Sequence, residues 1–388
     1  MISSSKNFEE FLKDISFLNV QPVNYGQNNL CYGVLNSRSN DRYWLLPLCN
    51  YRLTQSGLEM FQPLSKTAKI SRKLIEFAIK YNINDFWISD KIYMSGLPKV
   101  DVNFNQPIKE CAYFTGTAGP HRKTSIQFMS DSGLILGYAK LTRNSTIANF
   151  ISAEAKMLDE LSNLKIKSAC FPKKLSYSST DKGVTLIVTD TRRSGEAKSP
   201  ISFICEHKNF LIELSYINRD IGNQDEINKL TFFISQVLIS LNDKFWIQRL
   251  THGINLIRKQ NQKLQLCLNH GDFTPWNVFI DSGGLYVFDW EYSNKSYPLG
   301  YDFARFILSL PKKMNVNEIN NYIINMSSEF FFNNNKKSAA INYFTSLILF
   351  STFYLSRESD CNSTQWEDSL YYGKLIDSCR DIIDTLKI

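Results

Sequence analysis

The stretch NHGDFTPWNVFIDSGGLYVFDWEYS, residues 269–293, constrains this chain more than any other. Valine, isoleucine and phenylalanine dominate VFID and LYVFD, with Ser282, Gly283 and Gly284 between them. Short β-branched and aromatic runs around a glycine-rich turn read as a β-hairpin. Asn277 lies six residues before Gly283, and Asp289 lies six after it. In an antiparallel ladder, positions equidistant from the turn emerge at the same open end. An amide oxygen and a carboxylate are therefore expected side by side. Oxygen donors suit a hard cation such as Mg²⁺, which usually takes one or two protein carboxylates plus phosphate oxygens and waters. Asp272, five residues before Asn277, falls in the loop entering the hairpin, where a carboxyl is placed to accept a proton from a hydroxyl.

A lone Asp before a strand is usually a turn former, and a single Asp-Trp pair carries little. The joint pattern carries more. The spacing His270-x-Asp272-x₄-Asn277, then a hairpin, then Asp289, is the order of kinase catalytic sites. There the first Asp positions and deprotonates the attacking hydroxyl, while the Asn and the second Asp hold metal on the nucleotide phosphates.

A phosphotransferase also needs a cation for those phosphates. Lys140 closes the apolar strand LILGYAKL, downstream of a hairpin turn at Asp131-Ser132-Gly133. In the helix expected over 146–161, Ile147, Phe150, Ile151, Leu158 and Leu161 form an apolar stripe. Glu154 sits four residues from both Phe150 and Leu158, inside that stripe, where an unpaired carboxylate is costly. Lys140 is its natural partner, and Glu160, off the stripe, is the weaker rival. The loop FTGTAGPHRK (114–123) precedes the hairpin, and Gly116 and Gly119 would let its backbone approach phosphates. His121, Arg122 and Lys123 either add charge there or face solvent. The strand LIVTD (186–190), ending in Thr189 and Asp190, is placed to offer backbone groups to a nucleobase, as a hinge between lobes.

HGDFTPWN and FDWEYS resemble the catalytic loop and metal-binding motif of the aminoglycoside phosphotransferase and choline kinase superfamily. Glycine after the histidine, where protein kinases commonly carry arginine, also resembles the small-molecule group. YPLGYDFARF is similar to that superfamily too. The resemblance spans roughly 108–388. It implies an α+β, two-lobed protein-kinase-like fold, with a small antiparallel-sheet lobe and a larger helical lobe. It implies ATP or GTP as donor with Mg²⁺, Asp272 as base, Asn277 and Asp289 as metal ligands, and Lys140 on the phosphates. Asp302 would brace the catalytic loop. His270 and Glu291 are supporting residues, and DWEY resembles choline kinases, where acidic and aromatic residues receive a cationic acceptor. The segment RYWLLPLCNYRLTQSGLEMFQP is similar to a subgroup of phosphotransferase-like proteins in bacterial surface-glycan gene clusters.

Three regions follow: an accessory αβ region over 1–100, a nucleotide lobe over 101–190, and a helical lobe over 191–388. Within the first, 32–48 reads as two strands and 66–81 as an amphipathic helix with Ile70, Leu74, Phe77 and Tyr81 on one face. The accessory region is expected to pack on the small lobe, because that stripe needs an apolar partner. Lys66, Lys69, Lys73 and Lys80 lie off it, either a solvated basic face or a contact with an anionic glycan or membrane surface. Helices are expected near 209–218, 226–241 and 245–259, and again from 301.

The 388 residues carry 44 basic and 37 acidic side chains, a net charge of +7. That mild excess suits an anionic ligand and disfavours a dedicated nucleic-acid binder. Eight dispersed cysteines show no zinc or redox spacing, so the thiols are expected reduced. The apolar run 339–355 falls short of the ~20 residues of a membrane span and reads as a buried bundle helix. A cytoplasmic enzyme is expected, with nucleotide and a small hydroxylated acceptor as partners. The acceptor classes are a sugar, a glycan precursor, an aminoglycoside or an amino alcohol. A choline- or ethanolamine-type kinase and a nucleotide-binding pseudokinase scaffold are the alternatives. A protein kinase is disfavoured by HGD and by the short interval between Asp289 and Asp302.

Overall fold

The computed structural model describes residues 5–26, 29–37, 41–61, 66–81, 88, 90–181, 183–193, 197–260, 263–311, 314–357 and 366–386; the side chains of 66–68 lie outside that description. The chain divides into two compact units, Met1–Asn163 with Phe171–Ala197, and Leu164–Cys170 with Lys198–Ile388.

The first unit is built on one antiparallel sheet. Its elements are α1 (Lys6–Ser16), β1 (Pro22–Val23), β2 (Leu30–Ser37), β3 (Arg42–Pro47), α2 (Tyr51–Gly57), α3 (Lys66–Lys80), β4 (Asp90–Met94), β5 (Glu110–Phe114), β6 (Thr124–Met129), β7 (Ile135–Thr142), α4 (Ser145–Asn163), β8 (Lys174–Ser179) and β9 (Thr185–Asp190). The strands lie in the order β1-β4-β2-β3-β5-β6-β7-β9-β8. The first hundred residues join this sheet directly, because β3 pairs with β5 through Trp44–Phe114 and Leu45–Tyr113. Apolar residues of α1 (Phe8, Phe11, Ile15) share a core with Tyr32, Tyr113, Phe128 and Val188. The β6–β7 turn closes with Ser130 N–H donating to Leu134 O at 2.9 Å, with Gly133 at φ +80°.

The helix over 66–80 forms, but its packing face differs from the one expected. Ile70, Leu74, Phe77 and Tyr81 are 59, 41, 55 and 57% exposed. Ile75 and Ile79 pack instead against Leu35, Trp44, Leu46 and Leu58. The helix carries two apolar stripes. At about 100° per residue, Lys69, Lys73 and Lys80 flank the Ile70 stripe and lie nearly opposite Ile75 and Ala78, with Ile79 at the edge of the buried stripe. Burying the second stripe keeps the ammonium groups in water.

The second unit holds α5 (Cys205–Leu214), β10 (Asp220–Ile221), α6 (Gln224–Ser240), α7 (Lys244–Lys259), β11 (Gln265–Asn269), β12 (Val278–Asp281), β13 (Gly284–Val287), a 3₁₀ turn over Trp290–Tyr292, β14 (Asn294–Pro298), α8 (Tyr301–Ser309), α9 (Val316–Phe331), α10 (Lys336–Arg357) and α11 (Ser369–Thr385). The strands form the sheet β10-β11-β14 and the hairpin β12-β13. The helix expected near 209–218 starts earlier, because the buried His207 Nδ1 accepts the Ile204 N–H at 3.0 Å and caps its first turn. The apolar helix α10 is buried over most of its length. Its polar interruptions are absorbed locally: Thr345, Ser346, Ser351 and Thr352 donate to carbonyls four residues back at 2.8–2.9 Å. Asn342 accepts from Gln265 N and donates to Lys263 O, both at 3.0 Å, which ties α10 to β11. The fold is therefore α+β, a sheet unit and a mainly helical unit. Among the described residues seven cysteines are free thiols; Cys361 lies outside them.

Candidate active site

In the first unit, the loop between β5 and β6 closes on itself. Gly116 has φ +81°, and a Cβ there would lie 2.2 Å from Lys123 O, so only glycine lets the two ends meet. Gly119 also has a positive φ, with open space where a side chain would point. His121 stacks on Phe150 of α4, ring centroids 5.3 Å apart. Lys140 on β7 donates to both carboxylate oxygens of Glu154 on α4, at 2.7 and 2.6 Å. Glu154 is 2% exposed among Ile151, Ala155 and Leu158. A carboxylate so buried requires a charged partner, and strand and helix are thereby fixed to each other. Thr189 and Asp190 end β9 opposite Tyr138 and Gly137. The Asp190 carboxylate accepts from Lys173 N at 2.6 Å, and burial raises its pKa.

In the second unit, β11 delivers His270, Gly271 and Asp272. Gly271 has φ +85°, and a Cβ would lie 2.0 Å from Tyr292 O. Asp302, in the first turn of α8, accepts from His270 N at 2.6 Å and from Gly271 N at 3.0 Å. Burial pushes its carboxyl up to about 7, although those N–H bonds pull the other way. The His270 ring lies beside Trp290, centroids 4.6 Å apart, with Nε2 2.9 Å from Phe288 O and Nδ1 receiving the Asp272 N–H at 3.3 Å. This pattern places the imidazole proton on Nε2.

Both oxygens of Asp272 are engaged. Oδ1 accepts from Arg305 Nε at 2.9 Å and Nη2 at 2.8 Å. Oδ2 accepts from Asn277 Nδ2 at 2.9 Å. Asn277 Nδ2 also donates to Asp272 O at 2.9 Å. The amide nitrogen is thus committed to two oxygens, which leaves Oδ1 as the end of Asn277 suited to a cation. With the carboxylate of Asp289 this supplies hard oxygen donors of the kind Mg²⁺ takes.

The hairpin register differs by one residue from the equidistance read in the sequence. Val278 pairs with Val287 and Asp281 with Gly284. Phe288 N donates to Asn277 O at 3.1 Å, so Phe288 is the neighbour of Asn277 and Asp289 lies one residue beyond. The cause is a two-residue turn, Ser282–Gly283, stabilised by Gly283 N–H donating to Asp281 Oδ1 at 2.8 Å. Asp289 then takes a left-handed conformation, φ 69° and ψ 59°, which ends the strand, so strand alternation does not aim its side chain. Glu291 is buried in the following 3₁₀ turn. Arg305 was not foreseen. Its signal was its place three residues after Asp302, one helical turn along α8, which lets one helix brace the loop backbone and the Asp272 carboxylate together.

Residues 229–323 match the sequence profile of the Phosphotransferase enzyme family, APH. The superfamily resemblance read from the motifs is borne out over that segment. A comparison with curated proteins finds no match. Among solved structures, a GDP complex of wild-type aminoglycoside 2'-phosphotransferase-IIIa is similar at 13% identity, over 72% of this chain and 95% of that one, with a TM-score of 0.43. An amicoumacin kinase, hAmiN, in complex with AMP-PNP and Ca²⁺ gives 13% identity over 73% and 88%, with a TM-score of 0.41. The choline kinase LicA from Streptococcus pneumoniae gives 13% over 66% and 89%, also with a TM-score of 0.41.

Proposed function

We propose that this protein is a nucleotide-dependent small-molecule phosphotransferase that moves the γ-phosphoryl group of ATP or GTP to a hydroxyl. The observation that carries this reading is the state of Asp272. Its carboxylate is oriented by Arg305 and Asn277 on a loop braced by Asp302. Asp272 takes the proton from the acceptor hydroxyl as the new P–O bond forms, the bond from the γ-phosphorus to the bridging oxygen breaks, and a nucleoside diphosphate leaves. Lys140, oriented by Glu154, is assigned to the nucleotide phosphates, and the loop with Gly116 and Gly119 to their backbone cradle. The ends of Thr189 and Asp190 are assigned to the base. Asn277 and Asp289 would hold Mg²⁺, which neutralises charge on the transferring phosphate. His270 fixes the loop through Phe288 and Trp290.

The acceptor is assigned to the sugar, glycan-precursor, aminoglycoside or amino-alcohol class. Glu291 beside Trp290 and Tyr292 keeps a choline-type acceptor among them. A cytoplasmic location fits nucleotide chemistry. Residues 1–100 are assigned as an accessory part of the nucleotide unit. The exposed Ile70–Leu74–Phe77–Tyr81 stripe with Lys69, Lys73 and Lys80 favours an anionic bilayer as a peripheral partner.

The test is nucleotide turnover against a panel of hydroxylated metabolites and antibiotics, run with the wild type and Asp272→Asn. Transfer should fall by roughly 10²–10⁴ in the variant, the scale of a general base, with nucleotide affinity retained. Full activity in Asp272→Asn removes it as the base. Nucleotide binding without turnover on any acceptor favours the pseudokinase scaffold.

A further inference from the structure

We infer that the amino-terminal helix α1 positions the loop assigned to the nucleotide phosphates, with Asp14 and Asn7 as its positioning residues and Arg122 as the strut between. The inference rests on the reading of residues 114–123 as that loop.

Asn7 and Asp14 lie two turns apart on one side of α1, beside the Phe8–Phe11–Ile15 stripe, and both are buried. Asn7 Nδ2 donates to Asp41 O at 2.5 Å and, at longer range, to Gly116 O at 3.1 Å and Thr115 Oγ1 at 3.3 Å, so it ties the first stem of the loop and the residue before β3 to α1 together. The second stem is held through Arg122. Its Nε donates to Asn7 Oδ1 at 2.5 Å, Nη1 to Asp14 Oδ2 at 2.7 Å, and Nη2 to Thr124 Oγ1 at 3.2 Å. Thr124, the first residue of β6, also donates to Asp14 Oδ2 at 2.7 Å. The other oxygen of Asp14 accepts from Arg143 Nε at 2.8 Å. Arg143 follows β7 three residues after Lys140, and it also pairs with Glu10. One carboxylate, 1% exposed, therefore ties both the far stem of the loop and the end of the lysine strand to the same helix.

The apolar stripe already seats α1 in the core, and a buried ion pair adds little net stability over an apolar replacement. The pair is better explained by what it orders. All three guanidinium nitrogens of Arg122 are committed to protein oxygens, so the arginine in this loop is a structural strut. Arg122 is thereby withdrawn from the phosphate contacts. A loop held at both stems before nucleotide arrives loses less conformational freedom on binding.

The test uses the full-length chain and AMP-PNP with Mg²⁺ as probe, by calorimetric titration, with tryptic cleavage after Arg122 and Lys123 in parallel. Asp14→Asn is compared with Phe11→Leu, which loosens the apolar seat of α1 and leaves the polar struts in place. In Asp14→Asn the dissociation constant should rise roughly ten- to a hundredfold, the scale of a mispositioned binding element, and cleavage in the loop should accelerate. Phe11→Leu should lower Tm and leave AMP-PNP affinity within about twofold of wild type. Arg122→Lys, which keeps the charge but not the three-way fork, should behave like Asp14→Asn. Unchanged affinity in Asp14→Asn, or an equal loss in Phe11→Leu, overturns the inference. A wild type that does not bind AMP-PNP overturns the phosphotransferase reading itself, and this inference with it.

Discussion

Asp302→Asn should make the protein more stable at pH 8 and nearly inactive. The wild-type carboxyl ordinarily titrates at 3.8 and is pushed up to about 7 by burial. The folded state thus favours the protonated acid. Below pH 3.8 both folded and unfolded chains hold the proton, and the group has no effect on stability. Between 3.8 and about 7 only the folded chain retains it, so stability falls as pH rises through that window. Above 7 the folded protein carries a buried charge. At roughly 1.36 kcal/mol per pH unit, the full loss is about 4 kcal/mol. Asparagine cannot ionise, so that loss disappears. It does, however, present an NH₂ group to one of the two N–H donors of His270 and Gly271, and an unsatisfied buried donor costs about 1–3 kcal/mol. The balance favours the variant by about 1–3 kcal/mol at pH 8, whereas at pH 5, where the wild type has lost only about 1.6 kcal/mol, the two proteins come within about 1.5 kcal/mol of each other. Activity should fall at both pH values, because the loop carrying Asp272 loses its brace. Urea unfolding at pH 5 and pH 8, with activity in parallel, is the measurement. A wild type equally stable at both pH values, or a variant less stable than wild type at pH 8, refutes the reasoning.

Two further outcomes are expected. Gly271→Ala places a Cβ 2.0 Å from Tyr292 O at a positive φ, so activity should fall by roughly a hundredfold or more, with a drop in Tm; a variant with wild-type kinetics shows that the loop adapts freely. The paired change Leu74→Glu and Phe77→Glu should abolish flotation with phosphatidylglycerol vesicles without unfolding the chain, since both side chains are exposed; wild-type protein that floats equally with phosphatidylcholine vesicles, or with neither, removes the anionic bilayer as partner.

Local patterns in the sequence carried much of the fold. The Asp131–Gly133 turn, the Glu154 stripe and the VFID–LYVFD hairpin each declare themselves within some twenty residues. What escaped depended on choices between equivalent local patterns. The 66–80 helix has two apolar stripes, and only the positions of its lysines relative to the sheet decide between them. The hairpin's centre moved by half a residue because Gly284 took up a strand position, which displaced Asp289 from the partner of Asn277. Arg305 and Asp14 are bound by contacts 33 and 108–129 residues away. Asp14, like Glu154, is an acid beside an apolar stripe, but its partners lie too far along the chain for spacing to name them.

The nine-stranded sheet has a consequence for synthesis. Its strands are added largely as hairpins between near neighbours in the chain, β2 with β3, β5 with β6, β6 with β7, and β8 with β9. Each can pair as it leaves the ribosome. Yet the core beneath them joins Phe8 and Phe11 to Val188, so α1 waits for β9, the penultimate strand of the sheet order, before its apolar face is fully enclosed. Until then α1 presents phenylalanines to the surroundings, so enclosing them is the long-range step in an otherwise local assembly.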